Sequence, residues 1–217
     1  GAEANNVAVG SSALLDITTG SQNVALGYRT LPNITSGDFN IGIGIDALFT
    51  ETIGNGSIGI GVGALYTQAV GSDAYSYNTA VGFQSGYTNV TGANNTWLGY
   101  QAGYGGTGSN SLNTGLGSMA LNSITTGGAN VAVGSRCGED LTTGDYNVFL
   151  GEYAGHASTG VDNNIAIGHA AMSGSTTTDT NGTIAIGRDA LAALTSGTKS
   201  TAVGYEALKA NTIGHEN

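Results

Sequence analysis

The chain of 217 residues holds 38 glycines and one proline, Pro32, but no Gly-X-Y triplet runs through it, which excludes collagen. Five Lys and Arg stand against fifteen Asp and Glu, a formal charge of −10, so the clustered cations that nucleic-acid binding requires are missing and no nucleic-acid partner is expected. No apolar run reaches the roughly 18 residues of a membrane span, so no membrane insertion is expected; the N-terminus lacks the basic-then-apolar build of a secretory signal, and the lone Cys137 cannot form an intrachain disulfide.

The first element, Asn6-Val-Ala-Val-Gly10, returns as Asn23-Val-Ala-Leu-Gly27 and Asn40-Ile-Gly-Ile-Gly44. Its closing glycine then recurs at Gly61, Gly82, Gly99, Gly117, Gly134, Gly151, Gly168, Gly187 and Gly204, with eight of eleven intervals equal to 17 and the others 21, 18 and 19. Four residues before that glycine stands Asn in nine of twelve coils, replaced by Ser57, Thr183 and Ser200. One residue before it is always Val, Leu or Ile, three before it Val, Ile or Thr, and between them Ala or Gly except at Trp97 and Phe149. This period-two, β-branched pattern predicts a short strand opening each coil, with the branched pair on one face and the small residue on the other. The branched face is expected to be the core.

Three residues past the glycine comes Ala in nine coils, followed by Leu, Met or Gly. A corner follows, with Thr at the eighth position past the glycine in ten of twelve coils, as in Ile17-Thr-Thr-Gly20 and Leu141-Thr-Thr-Gly144. Ala47-Leu48 and Glu206-Ala207-Leu208 have helical composition, but no segment between glycines is long enough for a stable helix. Repetition on this period predicts an all-β fold, a parallel β-solenoid (β-roll) of twelve coils forming one domain over residues 1–217. At about 4.8 Å per coil the rod would measure roughly 55 to 60 Å. Two coils are long: four extra residues around Ser72-Asp-Ala-Tyr75-Ser-Tyr77 predict a surface bulge carrying Tyr75 and Tyr77, and a second insertion lies within Thr176 to Gly182.

The runs Asn78-Thr-Ala-Val-Gly82, Asn95-Thr-Trp-Leu-Gly-Tyr-Gln-Ala-Gly103 and Thr201-Ala-Val-Gly-Tyr-Glu-Ala-Leu208 resemble the repeats that precede the chaperone domain of phage and bacterial tail-fibre-like proteins. They are also similar to the head repeats of trimeric autotransporter adhesins. The resemblance spans essentially the whole chain and implies a left-handed parallel β-roll, homotrimeric assembly and a place at a cell or virion surface. The adhesin head repeat is shorter than this one, and neither a self-cleaving chaperone nor a membrane anchor lies within these residues.

Catalytic chemistry finds little support in the residues. Cys137 falls in the column that is Ala in nine other coils and reads as a small core residue; His156, His169 and His215 occupy three different columns and form no metal cluster or triad. No cofactor is expected, because Gly59-Ile-Gly-Val-Gly63 and its like belong to the repeat and lack the strand-to-helix setting of a phosphate loop. Glu139, Asp140, Asp145 and Glu152 cluster within two coils, a constellation compatible with cation binding or with the carboxylate pair of a glycan-degrading enzyme, but Arg136 lies in register to neutralise some of them, which favours a solvated or ion-paired face. Glu152, His169 and Arg188 share a column and predict a ladder of alternating charge.

Binding is better served. Phe49, Tyr66, Tyr87 and Tyr104 occupy one column in four consecutive coils and, with Tyr75 and Tyr77, are the candidate residues for stacking on cell-surface glycan. The threonine column gives an alternative, an ice-binding rank. Gly1 and Asn217 fall on repeat positions and no cap is visible, so the expectation is either a segment of a longer fibre or subunits that stack end to end; self-association is expected as a filament of this kind or as the homotrimer that the resemblance implies. The reading is therefore a non-enzymatic structural or adhesive fibre of the cell exterior or virion.

Overall fold

In a computed structural model of the chain, residues 5–71, 75–105, 108–174, 176 and 180–213 are described. Twelve strands of three residues open the coils: β1 (Val7–Val9), β2 (Val24–Leu26), β3 (Ile41–Ile43), β4 (Ile58–Ile60), β5 (Thr79–Val81), β6 (Thr96–Leu98), β7 (Thr114–Leu116), β8 (Val131–Val133), β9 (Val148–Leu150), β10 (Ile165–Ile167), β11 (Ile184–Ile186) and β12 (Thr201–Val203). They form one parallel sheet in chain order. Register is kept at every step, including the long coils, where Ile58 pairs with Thr79 and Ile165 with Ile184, so inserted residues leave the ladder untouched. Consecutive parallel strands in this order define a β-solenoid of about eleven turns, and no helix occurs among the described residues.

The strands are turned the opposite way from the expectation. Ala25, Ala80, Ala132, Ala166 and Ala185 at the strand centres are wholly buried, while their branched neighbours lie half-buried or exposed, with Leu26 at 46% and Val9 at 56%. The interior explains the inversion. Leu31, Leu48, Leu65, Leu121, Met172 and Leu191, four past the glycine, and Ile34, Ile124, Leu141 and Leu194 at the corners already fill it. A Cβ on Gly42 would stand 3.2 Å from Leu31 Cδ1, and one on Gly59 3.2 Å from Leu48 Cγ, so only a small strand centre fits beneath these leucines.

Trp97 and Phe149 obey the same volume rule. Both are strand centres and both are fully buried. Where they occur, the leucine position of the same and the preceding coil is glycine: a Cβ on Gly103 would lie 2.4 Å from Trp97 Cδ2, one on Gly86 2.9 Å from Trp97 Cδ1, and those on Gly155 and Gly138 2.7 and 3.0 Å from the Phe149 ring. One large ring thus replaces two leucines. The leucines themselves sit in left-handed backbone, with φ of 48° at Leu31 and 52° at Leu48, a conformation costing about 1–2 kcal/mol each. It persists because the side chain is buried and the amide bonds to the next coil, as from Leu48 N to Ala64 O at 2.9 Å.

Two columns lock coil to coil. The recurring Asn is buried and uses both ends of its amide: Asn130 Nδ2 donates to Gly144 O at 2.8 Å, closing its own coil, while its Oδ1 accepts the Asn147 N–H at 2.9 Å. The same pair of bonds is made by Asn23, Asn40 and Asn95. The recurring glycine has φ near +130°, and a Cβ on Gly82 would stand 2.2 Å from Gly99 O, so no side chain can be stacked there.

Candidate binding surfaces

The aromatic ladder forms as its column predicts. Ring centroids of Phe49 and Tyr66 lie 5.0 Å apart, Tyr66 and Tyr87 4.9 Å, and Tyr87 and Tyr104 5.4 Å, with interplanar angles of 4°, 7° and 18°. The coil step of about 4.8 Å sets this spacing. Arg29 covers the outer face of Phe49 at 5.1 Å and is itself gripped by Asp46 through two 2.8 Å bonds. Burial between its neighbours raises the Tyr87 phenol above its ordinary pKa. The inner rings spend both faces on one another, which leaves edges and hydroxyls toward solvent.

Tyr75 and Tyr77 are about half exposed and stacked at 5.0 Å and 12°, while residues 72–74 of the expected bulge lie outside the described residues. Phe83 and Tyr100 stack at 5.7 Å in the column just past the glycine.

The largest unpartnered feature is the outer face of the sheet, which column reading missed by assigning it to the core. Two rows run its length, Val24, Ile41, Ile58, Val131, Val148, Ile165 and Ile184 in one, Leu26, Ile43, Ile60, Val81, Leu98, Leu116, Val133, Leu150, Ile167 and Ile186 in the other. Exposed Tyr28, Ile45, Val62, Phe83 and Tyr100 flank them in the first half. Eleven coil steps carry the two rows over about 53 Å, half-buried in the first row and half-buried to exposed in the second. The Trp97 and Phe149 columns held the missing signal: large strand centres coincide with glycine at the leucine position, which is possible only if both point inward.

In the second half the flanking row turns polar, but the expected charge ladder is not made. Arg188 pairs with Asp189 at 3.5 Å and lies over Tyr205 at 5.9 Å, and His169 meets the edge of Tyr153 at 6.3 Å. The two basic groups find their partners on their own turn or on a neighbouring ring. The carboxylate cluster is similarly dispersed: Glu139 Oε2 lies 3.0 Å from His156 Nε2 and 3.7 Å from the Arg136 guanidinium, and Asp145 Oδ1 accepts the Gly128 N–H at 2.6 Å. Among the described residues no group of three or more His, Cys, Asp or Glu could hold a metal ion.

Cys137 is buried, its Sγ donates to Phe149 O at 3.2 Å, and burial pushes its thiol up to about 12. The threonine rank exists, yet its hydroxyls are engaged: those of Thr18, Thr35, Thr125, Thr142 and Thr195 donate to the carbonyl one coil on at 2.8 to 3.1 Å. Sequence reading passed over Glu51, a fully buried carboxylate accepting from Gly54 N at 2.8 Å, Thr52 N at 3.0 Å and Gln68 Nε2 at 2.9 Å. Gln68 also reaches Ser57 at 2.8 Å and accepts from Asn78 at 2.9 Å, so a polar network replaces the corner isoleucines beneath the 21-residue coil. Its signal was a corner column that changes from Ile34 to Glu51, Gln68 and Asn89. Residues 1–4 and 214–217, on which end-to-end stacking depends, lie outside the described residues.

The geometry defines a β-solenoid repeat protein whose prominent surfaces are an apolar strip and ranks of aromatic side chains. No protein-family model, curated protein or solved structure matches the chain.

Proposed function

We propose that this protein is a structural rod that associates with copies of itself along the outer face of its sheet and serves as the shaft or adhesive head of an extracellular or virion-surface fibre. The observation that carries this reading is the double row of Val, Ile and Leu left outside a core that is already full. Selection for β-propensity alone would be met by threonine, which stands in the first row only at Thr79, Thr96, Thr114 and Thr201 and never in the second. The second row is aliphatic in every coil, and that sustained character fits a surface removed from water. Three parallel copies, the arrangement that the fibre resemblance implies, would close the strip around a common axis and leave the aromatic ladder outside.

Cysteine cross-linking tests the reading. Ile60→Cys lies mid-strip, Ala157→Cys lies on a turn away from the sheet, and native Cys137 is buried. Mild oxidation should convert Ile60→Cys to covalent dimers at micromolar protein and leave Ala157→Cys monomeric on a denaturing gel. Equal cross-linking of both, or of neither, contradicts association through this face.

A further inference from the structure

Tyr146 differs from the other tyrosines. Tyr28 and Tyr205 lie beneath arginines and seven others contact an aromatic ring, whereas Tyr146, 66% exposed, has no ring or cation on either face among the described residues. It forms one wall of a surface depression of about 200 Å³ whose opposite wall is exposed Leu112, two coils earlier, and whose floor is Gly128 and Ala129 of the coil between. The column of Leu112 and Tyr146 also holds Phe39 and Tyr77, so the depression exists because one coil puts Ala129 where its neighbours put a large side chain. Two coil steps separate the walls by about 9.6 Å between backbones, which leaves space for one saturated six-membered ring against the Tyr146 face.

The walls are fixed before any ligand arrives. Leu112, Ala129 and Tyr146 all hold left-handed backbone, with φ of 64°, 56° and 59°. Their amides bond to the preceding coil at Ala93 O, Ser111 O and Gly128 O, at 3.0, 3.0 and 3.1 Å. Polar groups sit beside the slot. Ser111 Oγ accepts the Ala93 N–H at 3.0 Å, which leaves its own proton to donate. Asp145 Oδ1 accepts the Gly128 N–H at 2.6 Å, and its second oxygen has no partner among the described residues.

We infer that the slot between Leu112 and Tyr146 is a subsite for one neutral pyranose unit of a glycan. The aliphatic C–H face of the sugar, slightly positive, meets the negative face of the free tyrosine ring. Adjacent ring hydroxyls meet one acceptor, the free oxygen of Asp145, and one donor, Ser111. The Asp145 charge and the net −10 of the chain repel uronic and sialic acids, so the subsite selects neutral sugars. This site is separate from the apolar strip and does not rest on self-association.

Proton–nitrogen NMR spectra of the intact protein, titrated with the methyl pyranosides of glucose, galactose, mannose, N-acetylglucosamine and glucuronic acid, test the assignment. At least one neutral probe should move the amide signals of Gly128, Ala129 and Tyr146 with a Kd on the order of 1–10 mM, and the glucuronide should not. Tyr146→Ala should weaken that binding about tenfold or more. Ala129→Leu, which installs the residue that Leu112 already carries at the same backbone conformation, should abolish it while the rest of the spectrum is kept. Absence of shifts with every neutral probe, equal binding by the glucuronide, or undiminished binding by Ala129→Leu overturns the assignment. Sedimentation of the same sample reports the association state separately, so this failure and that of the rod assembly are told apart.

Discussion

Removing Trp97 tests the volume rule that orients every strand. The side chain is fully buried, and its ring stands where side chains on Gly86, Gly103 and Gly115 would lie, at 2.9, 2.4 and 2.8 Å from their projected Cβ positions. Trp97→Ala should therefore cost about 3–5 kcal/mol. Gly103→Leu alone should be comparably harmful, because the new side chain meets the indole. Combined, the two changes should rescue each other: a buried leucine contributes about 2–3 kcal/mol, and left-handed backbone, already accepted by Leu65 and Leu121 in the same column, takes back about 1. The double variant should thus be at least about 1 kcal/mol more stable than Trp97→Ala. Trp97→Phe should cost little, since Phe149 already fills the equivalent place and the indole Nε1 of Trp97 is buried without a hydrogen-bond partner. Urea unfolding followed by circular dichroism measures all four. A double variant no more stable than Trp97→Ala, or a Trp97→Ala cost below about 1 kcal/mol, would refute an inward-facing strand centre.

Other perturbations separate the remaining locks. Asn130→Ala leaves the Asn147 N–H and Gly144 carbonyl unpaired inside the rod and should cost about 3 kcal/mol by the same unfolding assay. Asn130→Asp keeps the acceptor but sets a carboxylate against Gly144 O; its folded pKa is raised above the ordinary carboxyl value, so the lost stability should return as pH falls from that raised value toward about 4 and should level off below it. Gly82→Ala, with its Cβ 2.2 Å from Gly99 O, should prevent folding of the surrounding coils, seen as loss of their amide protection in hydrogen exchange. Cys137 should resist thiol reagents at neutral pH until the chain unfolds. Between its ordinary 9.0 and about 12 the folded thiol keeps a proton that the unfolded one has lost, so stability should fall with rising pH there. Cys137→Ala should remove up to about 1.4 kcal/mol per pH unit of that slope, measured as the difference between the two unfolding profiles.

Much of this architecture was legible in the amino-acid order. A 17-residue glycine spacing with an Asn four residues ahead gives coil number, strand position and register, because parallel stacking repeats identical environments. The ladder from Phe49 to Tyr104 followed from the same logic, since equal columns in adjacent coils must touch. The inside of the strand was not legible from its own three residues: a period-two pattern is the same whichever face is buried, and β-branched side chains suit a sheet on either side. Leucines on the opposite wall decide it, through contacts remote in sequence. Glu152, His169 and Arg188 share a column, but long side chains choose partners beyond it, and Arg188 found Asp189 beside it. The slot at Tyr146 escaped column reading because it is made by what Ala129 lacks.

Sedimentation equilibrium of the intact chain bears most directly on the proposal that the outer face of the sheet is an association surface. The expected mass at micromolar concentration is an integral multiple of 21.5 kDa, three copies by the fibre resemblance, returning to 21.5 kDa when Ile43→Asp and Ile60→Asp place charges in the strip. A mass of 21.5 kDa for the unaltered chain up to about 100 µM, where even weak association would register, would contradict it.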